Sequence, residues 1–464
     1  MLRRRASTTI DDRGPAAARA DGDRHAVGAA TRPRTPEEVT AALEERADAA
    51  VGTWLERGGL TTAGPKHAGE VRGLIEELVE EYERDAAQSR LLPALPDAAG
   101  LVRRLVDEYT GLGPLQPLMA DRAVEEILCN GPYRVLTVRN GETQLEEGVR
   151  FRSDAALLDL CKRQIALAGE RLDDSSPMVD AQLADGSRIN VTIPPVAEHT
   201  LVAIRKFLPH AQTLDDLVRL GTLTPPAARF LEAAVLAGLT ILISGPTGSG
   251  KTTLLSALAR CLDSLDERLV TIEGTRELNL NKRLPNCPAL VARRKNLEGK
   301  GEITVRDLVA NALRMRPKRV IVGEVRGGEA LDMLQAINTG HPGSMCTLHA
   351  NSPRDAFSRL AVLAMQAEEP ITREAAQEMI AQTIDLVVQL QGGFAARGQR
   401  RPRRVSHIYE ITGYDHATGQ IVGQELWRLD GRGELAYENR PGCAELLRER
   451  GVPWSPPERA GGAG

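Results

Sequence analysis

The sequence predicts an α/β fold organised around a central sheet that is rich in parallel strands. Five short apolar runs in the second half of the chain are each typical of a buried strand, and stretches of helical periodicity separate them. This alternation is the pattern of a parallel sheet whose strands are joined by crossover helices. A glycine-rich segment between the first run and the next helical stretch supports the same fold. The five runs are residues 240–244, 268–272, 320–323, 345–349 and 386–390.

The composition is that of a globular protein with several domains. A chain of 464 residues exceeds what a single hydrophobic core usually serves. The formal net charge of −4 argues against a general polyanion-coating role. No run of about 18 uncharged apolar residues is present, so no membrane-spanning helix is expected. The N-terminal arginines have no apolar segment behind them, which argues against a secretion signal.

Six scattered cysteines without a C-x-x-C pair indicate neither a zinc site nor a disulfide framework, and fit a reduced, cytoplasmic setting.

Changes in composition and in hydrophobic periodicity along the chain predict five segments. Residues 1–35 lack periodicity and are expected to be a disordered tail. Residues 36–100 form a helical region, in which Thr35 caps the first helix, Pro36 opens it, and an apolar stripe marks a second helix at 67–87. Residues 101–212 form a smaller α/β domain, with strand-like runs at 126–128, 134–138, 188–193 and 201–207. Residues 213–430 hold the parallel sheet, and residues 431–464 are a C-terminal tail.

The glycine-rich segment has the residues of a phosphate-binding loop. Glycines allow backbone N–H groups to surround an anion, and the N-terminus of the following helix adds a partial positive charge. Lys251 is expected to reach the β- and γ-phosphates of a nucleotide, and the Thr252 hydroxyl to bind Mg²⁺. The alternative is a glycine-rich turn before an ordinary helix. The match to G-x-x-x-x-G-K-[ST] is complete over Gly245, Pro246, Thr247, Gly248, Ser249, Gly250, Lys251 and Thr252, and Thr253, which follows in the helix, is a further candidate for nucleotide binding.

Acidic residues follow two of the predicted strands, at the edge where ligands bind in open α/β sheets. Glu324 ends an apolar run and is a candidate for the carboxylate that serves Mg²⁺, where Asp is more usual. Its longer side chain favours contact through a metal-bound water. Glu273 and Glu277 follow the preceding strand, and either is a candidate for the base that activates water. Spacing alone does not choose between them, and either also suits a solvated surface.

Two histidines flank a strand-like run near the end of the predicted sheet. His349 follows the run directly, and its imidazole is a candidate sensor of the γ-phosphate. A structural role is an equal alternative for His349. Neither His349 nor His341 has metal-ligand spacing with another ligand-type residue, which argues against zinc.

With these motifs in place, the sequence resembles the CpaF/TadA-type ATPases of the type II/type IV secretion and pilus-motor superfamily. The resemblance covers residues 100–410 approximately and rests on long motifs. They include Asn-Leu-Glu-Gly-Lys-Gly-Glu-Ile-Thr at 296–304, Leu-Arg-Met-Arg-Pro at 313–317, Val-Gly-Glu-Val-Arg at 322–326 and Thr-Leu-His-Ala-Asn-Ser-Pro-Arg at 347–354. Upstream they include Gly-Leu-Gly-Pro-Leu at 111–115, Ser-Pro-Met-Val-Asp at 176–180 and Ile-Arg-Lys-Phe at 204–207.

The resemblance implies a RecA-like ATPase domain preceded by a PAS-like α/β domain, with ATP and Mg²⁺ as ligands. It implies a homo-hexamer on the cytoplasmic face of a membrane, working with a polytopic inner-membrane platform protein and moving a pilin or secreted cargo. Direct contact with nucleic acid is not expected, because the charge is balanced and aromatic–basic stretches are absent. By motif, Glu277 falls on the catalytic glutamate, Glu324 on the Walker B acid and His349 on the histidine-box residue. Arg188 and Arg205 fall on front-domain arginines that reach the phosphates when the domain closes.

Two departures from the family pattern concern the rate of hydrolysis. Gly274 stands where an Asp is usual, and Lys318 replaces an Asp before the Walker B strand. The expected function is an ATP-hydrolysing motor that powers assembly of a Flp/Tad (type IV-like) pilus or protein secretion. One alternative is a scaffold that binds ATP and hydrolyses it poorly, which the two departures favour. Another is a conjugation-type translocation ATPase, against which the balanced charge counts.

Overall fold

The computed structural model describes residues 35–89, 91–139, 141–207, 212–293, 295, 300–394 and 400–457. The predicted disordered tail therefore lies outside the described residues, apart from Thr35. Residues 296–299 of the Asn-Leu-Glu-Gly motif and residues 458–464 of the predicted C-terminal tail also lie outside them. Contacts divide the chain into two compact units, residues 1–113 and 114–464.

The first unit contains three helices, α1 (Pro36–Gly58), α2 (Ala68–Gln88) and α3 (Ala98–Thr110). Thr35 caps α1 as predicted, because its hydroxyl accepts the Glu38 N–H at 3.2 Å and the Glu38 carboxylate accepts the Thr35 N–H at 2.9 Å. The apolar stripe of α2 packs against α1 and α3 in a common core. That core includes Val39, Leu43, Val71, Ile75, Val79, Leu101 and Leu105.

The second unit begins with an antiparallel sheet, which together with α4 and α5 we call the front domain. Within the described residues, six strands form this sheet in the order β3-β2-β1-β6-β5-β4. Alternate residues of β5 and β6 are buried, so Arg188 and Arg205 lie on the opposite face, directly across from each other. The elements are α4 (Gln116–Ala120), β1 (Val124–Asn130), β2 (Val135–Arg139), β3 (Glu142–Leu145), α5 (Asp154–Leu167), β4 (Met178–Gln182), β5 (Arg188–Thr192) and β6 (Leu201–Arg205).

The rest of the second unit, residues 212–457, is the rear domain. Nine strands of its described residues form one sheet in the order β15-β14-β13-β12-β7-β11-β10-β8-β9. Neighbours from β12 to β9 are parallel, and those from β12 to β15 are antiparallel. The strands are β7 (Ile241–Ser244), β8 (Leu269–Glu273), β9 (Ala289–Val291), β10 (Arg319–Val322), β11 (Met345–Leu348), β12 (Leu386–Phe394), β13 (Arg400–Asp415), β14 (Gln420–Leu429) and β15 (Leu435–Tyr437).

Helices lie between the parallel strands, as crossover connections require. Residues of the central strands alternate between two apolar cores: Ile241, Ile243 and Ile321 belong to one, and Leu242 and Val320 to the other. The sheet is therefore buried on both faces. The helices of the rear domain are α6 (Leu214–Arg219), α7 (Pro225–Leu236), α8 (Lys251–Ala259), α9 (Val305–Ala312), α10 (Glu329–Asn338), α11 (Pro353–Ala364), α12 (Arg373–Thr383) and α13 (Ala444–Glu449).

These observations confirm the predicted α/β fold with a parallel-rich central sheet. The PAS-like character of the front domain and the five domain boundaries stay predictions. The segment assigned to a C-terminal tail contains β15 and α13, and its Trp454 ring lies 5.2 Å from Phe230 of α7. In the described part of the chain, no helix combines the length and the hydrophobicity needed to cross a bilayer.

Candidate active site

The glycine-rich loop connects β7 to α8, as its sequence predicts. Gly250 has a φ of 99°, a left-handed conformation that favours glycine. A Cβ at Gly245 would come within 2.8 Å of the Leu390 carbonyl, so this position has no room for a side chain. Ser249 is fully buried, and its Oγ has no hydrogen-bond partner among the residues that the structure describes. The loop thus forms a narrow turn at the start of a helix, with a polar atom still to be satisfied.

Lys251 folds over this loop and connects it to His349. Its Nζ donates to the carbonyls of Gly245 and Pro246 at 2.9 and 3.0 Å and lies 3.1 Å from His349 Nδ1. Because an ammonium only donates, Nδ1 accepts and the imidazole proton is on Nε2. That Nε2 lies 3.1 Å from Glu324 Oε1, while Arg326 donates to Glu324 Oε2 at 2.6 Å.

Charges and burial shift the pKa values of these groups. Burial lowers the pKa of Lys251 to about 8, against the attraction of Glu324 and Glu277. Burial and then the Lys251 cation lower the pKa of His349, which favours the neutral imidazole. Burial alone would raise the pKa of Glu324, but the hydrogen bond and charge of Arg326, with His349 and Lys251, lower it overall. Glu324 is therefore an ionised carboxylate.

Glu277 lies beside the start of α8 and meets both domains. Its Oε2 accepts from the Thr252 hydroxyl at 3.2 Å, and its Oε1 forms an ion pair with Arg188 of the front domain. Arg188 and Glu277 are each 40% exposed, so a ligand can reach both. Arg205 lies one strand away from Arg188 and is 3.9 Å from Glu126.

Two adjoining cavities of about 850 and 370 Å³ lie around these side chains. The smaller one is lined by residues 247–253 of the loop and by all six residues predicted to be catalytic. These are Arg188, Arg205, Lys251, Glu277, Glu324 and His349. His341 is not among them, and its Nδ1 bonds the Ala336 carbonyl at 2.9 Å. The structure thus brings the predicted residues together, while their individual roles stay proposals.

Two further residues at the site, Arg326 and Gln389, have no role that their sequence context predicts. Arg326 belongs to the Val-Gly-Glu-Val-Arg motif, and in the structure it contacts Glu324 and lines both cavities. Gln389 was treated as part of an apolar strand. Its buried side chain accepts from the Ser244 hydroxyl and donates to the Ala350 carbonyl at 3.1 Å, which connects the loop strand to the segment after His349. A single polar residue within an apolar run is the signal that could have found it.

The residues suit Mg-ATP. The unsatisfied Ser249 Oγ, the tight turn at Gly245 and the buried Lys251 provide the donors and the space for phosphate oxygens. Thr252 and Glu324 are oxygen ligands of the kind that Mg²⁺ prefers.

Comparison with known proteins agrees with this chemistry. The type II/IV secretion system protein family matches residues 108–424. The chain belongs to this family. Family membership implies an ATPase of the secretion and conjugation type that uses and hydrolyses ATP, which confirms the predicted superfamily. It does not distinguish the CpaF/TadA type within it.

Several relatives share most of their length with the chain. A candidate conjugal transfer protein of Mycobacterium tuberculosis is 37% identical over 356 residues, covering 75% of this chain and 96% of the relative. Conjugal transfer protein TrbB of Rhizobium radiobacter is 33% identical over 318 residues, covering 68% of this chain and 91% of the relative. Among solved structures, the VirB11 ATPase of the Brucella suis type IV secretion system, in complex with sulphate, is 29% identical. It covers 67% of this chain and 96% of its own, with a TM-score of 0.34.

Proposed function

We propose that this chain is a motor ATPase that converts Mg-ATP hydrolysis into movement of a protein subunit at the cytoplasmic face of a membrane. The observation that carries the proposal is the ion pair between Arg188 of the front domain and Glu277 of the rear domain. One end of this pair belongs to the domain expected to move and the other to the hydrolytic machinery. A ligand that alters the pair therefore acts on both.

The phosphate-binding roles follow from the geometry of the loop. Backbone N–H groups of residues 245–252 bind the phosphates, and Lys251 exchanges its bonds to the Gly245 and Pro246 carbonyls for phosphate oxygens. The Ser249 hydroxyl gains the partner that it lacks among the described residues. Lys251 thereby exchanges neutral carbonyl acceptors for anionic phosphate oxygens, and the Ser249 hydroxyl gains a charge-assisted hydrogen bond.

The two acidic residues have different proposed roles: Glu324 serves the metal ion and Glu277 acts on the attacking water. Thr252 and Glu324 would hold Mg²⁺, which supplies neutralisation of the charge that develops on the phosphates. Both Glu324 oxygens already have cationic or imidazole neighbours, which supports contact through a metal-bound water. Glu277 orients and deprotonates the attacking water, because its carboxylate is exposed to the cavity next to Thr252. The neutral His349 contacts both Lys251 and Glu324, so a movement of Lys251 toward the phosphates changes the contacts of the carboxylate that would serve Mg²⁺.

Arg188 and Arg205 act as the front domain's contribution to catalysis. A triphosphate in the loop attracts both cations, so Arg188 leaves Glu277 and the carboxylate becomes available to water. Charge on the transferred phosphoryl group is then stabilised only when the front domain is closed. This couples the chemical step to domain movement.

Two variants test the role assignment. Glu277→Gln keeps the size of the side chain and removes the base, so steady-state ATP hydrolysis should be lost while ATP binding remains. Lys251→Ala removes the buried cation of the loop, so both binding and hydrolysis should fall. Phosphate release and binding of a fluorescent ATP analogue measure the two effects. Normal turnover by Glu277→Gln would contradict the assignment, and absence of hydrolysis by the wild-type protein would favour the scaffold alternative.

The identity of the moving subunit is a finer proposal. The motif resemblance supports a homo-hexamer that works with a polytopic membrane platform and moves the pilin of a Flp/Tad pilus or a secreted cargo. The names of the relatives favour a second candidate, a conjugation-type ATPase. Stimulation of ATP hydrolysis by added DNA would support conjugation, and its absence together with stimulation by the platform protein would support the pilus or secretion role.

A further inference from the structure

Glu273 is placed differently from Glu277, although the two were equal candidates in the sequence. Glu273 as a whole residue is 3% exposed, whereas the side chain of Glu277 is 40% exposed. Glu273 Oε1 accepts the backbone N–H groups of Glu277 and Leu278 at 2.8 and 2.9 Å. Oε1 is thus occupied by two amide protons, and Oε2 is buried away from solvent, so neither oxygen is placed to take a proton from water. Glu273 is therefore not the base.

The neighbours of Glu273 hold its carboxyl in one position. A Cβ at Gly323 would lie 3.0 Å from Glu273 Cγ, so the strand tip that leads to Glu324 packs directly against this side chain. Gly323 is itself held by the Thr347 hydroxyl, which donates to the Gly323 carbonyl at 2.6 Å. The Glu273 carbonyl accepts from the Ala292 N–H at 2.9 Å. The C-terminal end of β8, which carries Glu273, is therefore packed directly against the end of β10, which leads to Glu324.

The loop between Glu273 and Glu277 has little other support. Residues 274–276 are partly or fully exposed, and a Cβ added at Gly274 would meet nothing within 4 Å. Gln182 of the front domain donates to the Arg276 carbonyl, a contact that belongs to the domain expected to move. Within the rear domain, the two bonds from Glu273 hold the backbone that carries Glu277, together with the burial of Leu278 in the apolar core and the Asn279 amide, which donates to the Glu277 carbonyl at 3.4 Å.

We propose that Glu273 is a positioning residue, whose buried carboxyl holds the backbone at residues 277 and 278 and thereby aims Glu277 at the attacking water. This inference rests on the proposed role of Glu277 as the base. A misplacement of about 1 Å can lower a rate about a hundredfold, so two backbone hydrogen bonds matter for turnover. Oε2 of Glu273 has no partner in the described part of the chain, so one acceptor oxygen is enough for this role.

Two replacements of Glu273 separate positioning from packing. Glu273→Met keeps the contact with Gly323 but removes the acceptor, and it should lower kcat by about 10- to 100-fold without changing the affinity for ATP. Glu273→Gln keeps an acceptor oxygen and should restore most of the turnover. Thr271→Val is the matched control, because Thr271 lies on the same face of β8, is fully buried and has an Oγ without a described partner.

The readouts are kcat, KM, affinity for a fluorescent ATP analogue and assembly state by size-exclusion chromatography. In a Glu277→Gln background, Glu273→Met should cause no further loss, because the group that it aims is absent. Full turnover by Glu273→Met, equal losses in Glu273→Gln and Glu273→Met, or an equal loss in Thr271→Val would each overturn the positioning role. If Glu277→Gln is inactive and Glu273→Met is active, only this inference fails. If Glu277→Gln is active, the proposed base fails and the inference fails with it.

Discussion

Replacing Arg188 by alanine should separate stability from catalysis more clearly than any other change at the site. In the structure Arg188 pairs with Glu277, and both side chains are 40% exposed. Ion pairs this accessible contribute about 0–1 kcal/mol, because water screens them and ordering two side chains costs entropy. The free energy of unfolding should therefore fall by no more than about 1 kcal/mol. An arginine that stabilises the transferred phosphoryl group contributes about 10³-fold or more to kcat. At about 1.4 kcal/mol for each factor of ten, this is about 4 kcal/mol of transition-state stabilisation.

The assay measures both quantities on one preparation of Arg188→Ala. Phosphate release at saturating ATP gives kcat, and chemical denaturation gives the free energy of unfolding. Arg171→Ala is the matched control, because Arg171 also lies in the front domain and pairs with Asp173, but is 70% exposed and lines neither cavity. That variant should change neither measurement. Hydrolysis of ATP by Arg188→Ala at the wild-type rate would contradict the catalytic role of Arg188, and so would a loss of turnover matched by a comparable loss of stability.

Two further predictions follow from the same site. Burial lowers the pKa of Lys251 to about 8, so above that pH much of the protein carries a neutral amine, and ATP must bind together with a proton. ATP affinity should fall as the pH rises through 8. Calorimetry of ATP binding in two buffers of different ionisation enthalpy should detect proton uptake at pH 8.5 but little at pH 6.5. Equal binding heats in both buffers at pH 8.5 would contradict this. Gly323→Ala should lower kcat about tenfold by pushing Glu273, whereas Gly274→Ala, whose added Cβ meets nothing within 4 Å, should not. Equal turnover in the two glycine variants would show that the contact at Gly323 does not matter.

The strands that are buried on both faces could be predicted from the sequence, because each is a continuous apolar run that can be recognised from its own residues. Residues 241–244 and 345–348 lie within the runs predicted for them. Strands at the sheet edges were missed for the opposite reason. All four residues of β3 are exposed, and β9 has only three residues, each half-buried. Such strands depend on pairing with a neighbour rather than on their own hydrophobicity, so composition does not reveal them.

The site shows the same division between local and tertiary information. The glycine-rich loop is contiguous in the sequence, and its motif predicted its position between a strand and a helix. The difference between Glu273 and Glu277 cannot be predicted from neighbouring residues in the sequence. It depends on Gly323, which packs beside the Glu273 side chain, and on Arg188 of the front domain, which pairs with Glu277. Resemblance to a family indicated both Arg188 and Arg205, but only the register of β5 and β6 explains why the two lie side by side on one face.

The pairing of charges at the site explains how one ligand could move a domain. The proposed phosphate-binding cations are engaged by groups of the protein: Lys251 by loop carbonyls and His349, and Arg188 by Glu277. A triphosphate competes for both, and each competition has a different consequence. Drawing Lys251 away from His349 changes contacts only within the rear domain. Drawing Arg188 away from Glu277 breaks a link between the domains at the moment that the base is needed. Hydrolysis and phosphate release then return Arg188 to Glu277, which shields the base again. The same arginine would thus make hydrolysis depend on the position of the front domain, and loss of the phosphate would restore the ion pair between the domains.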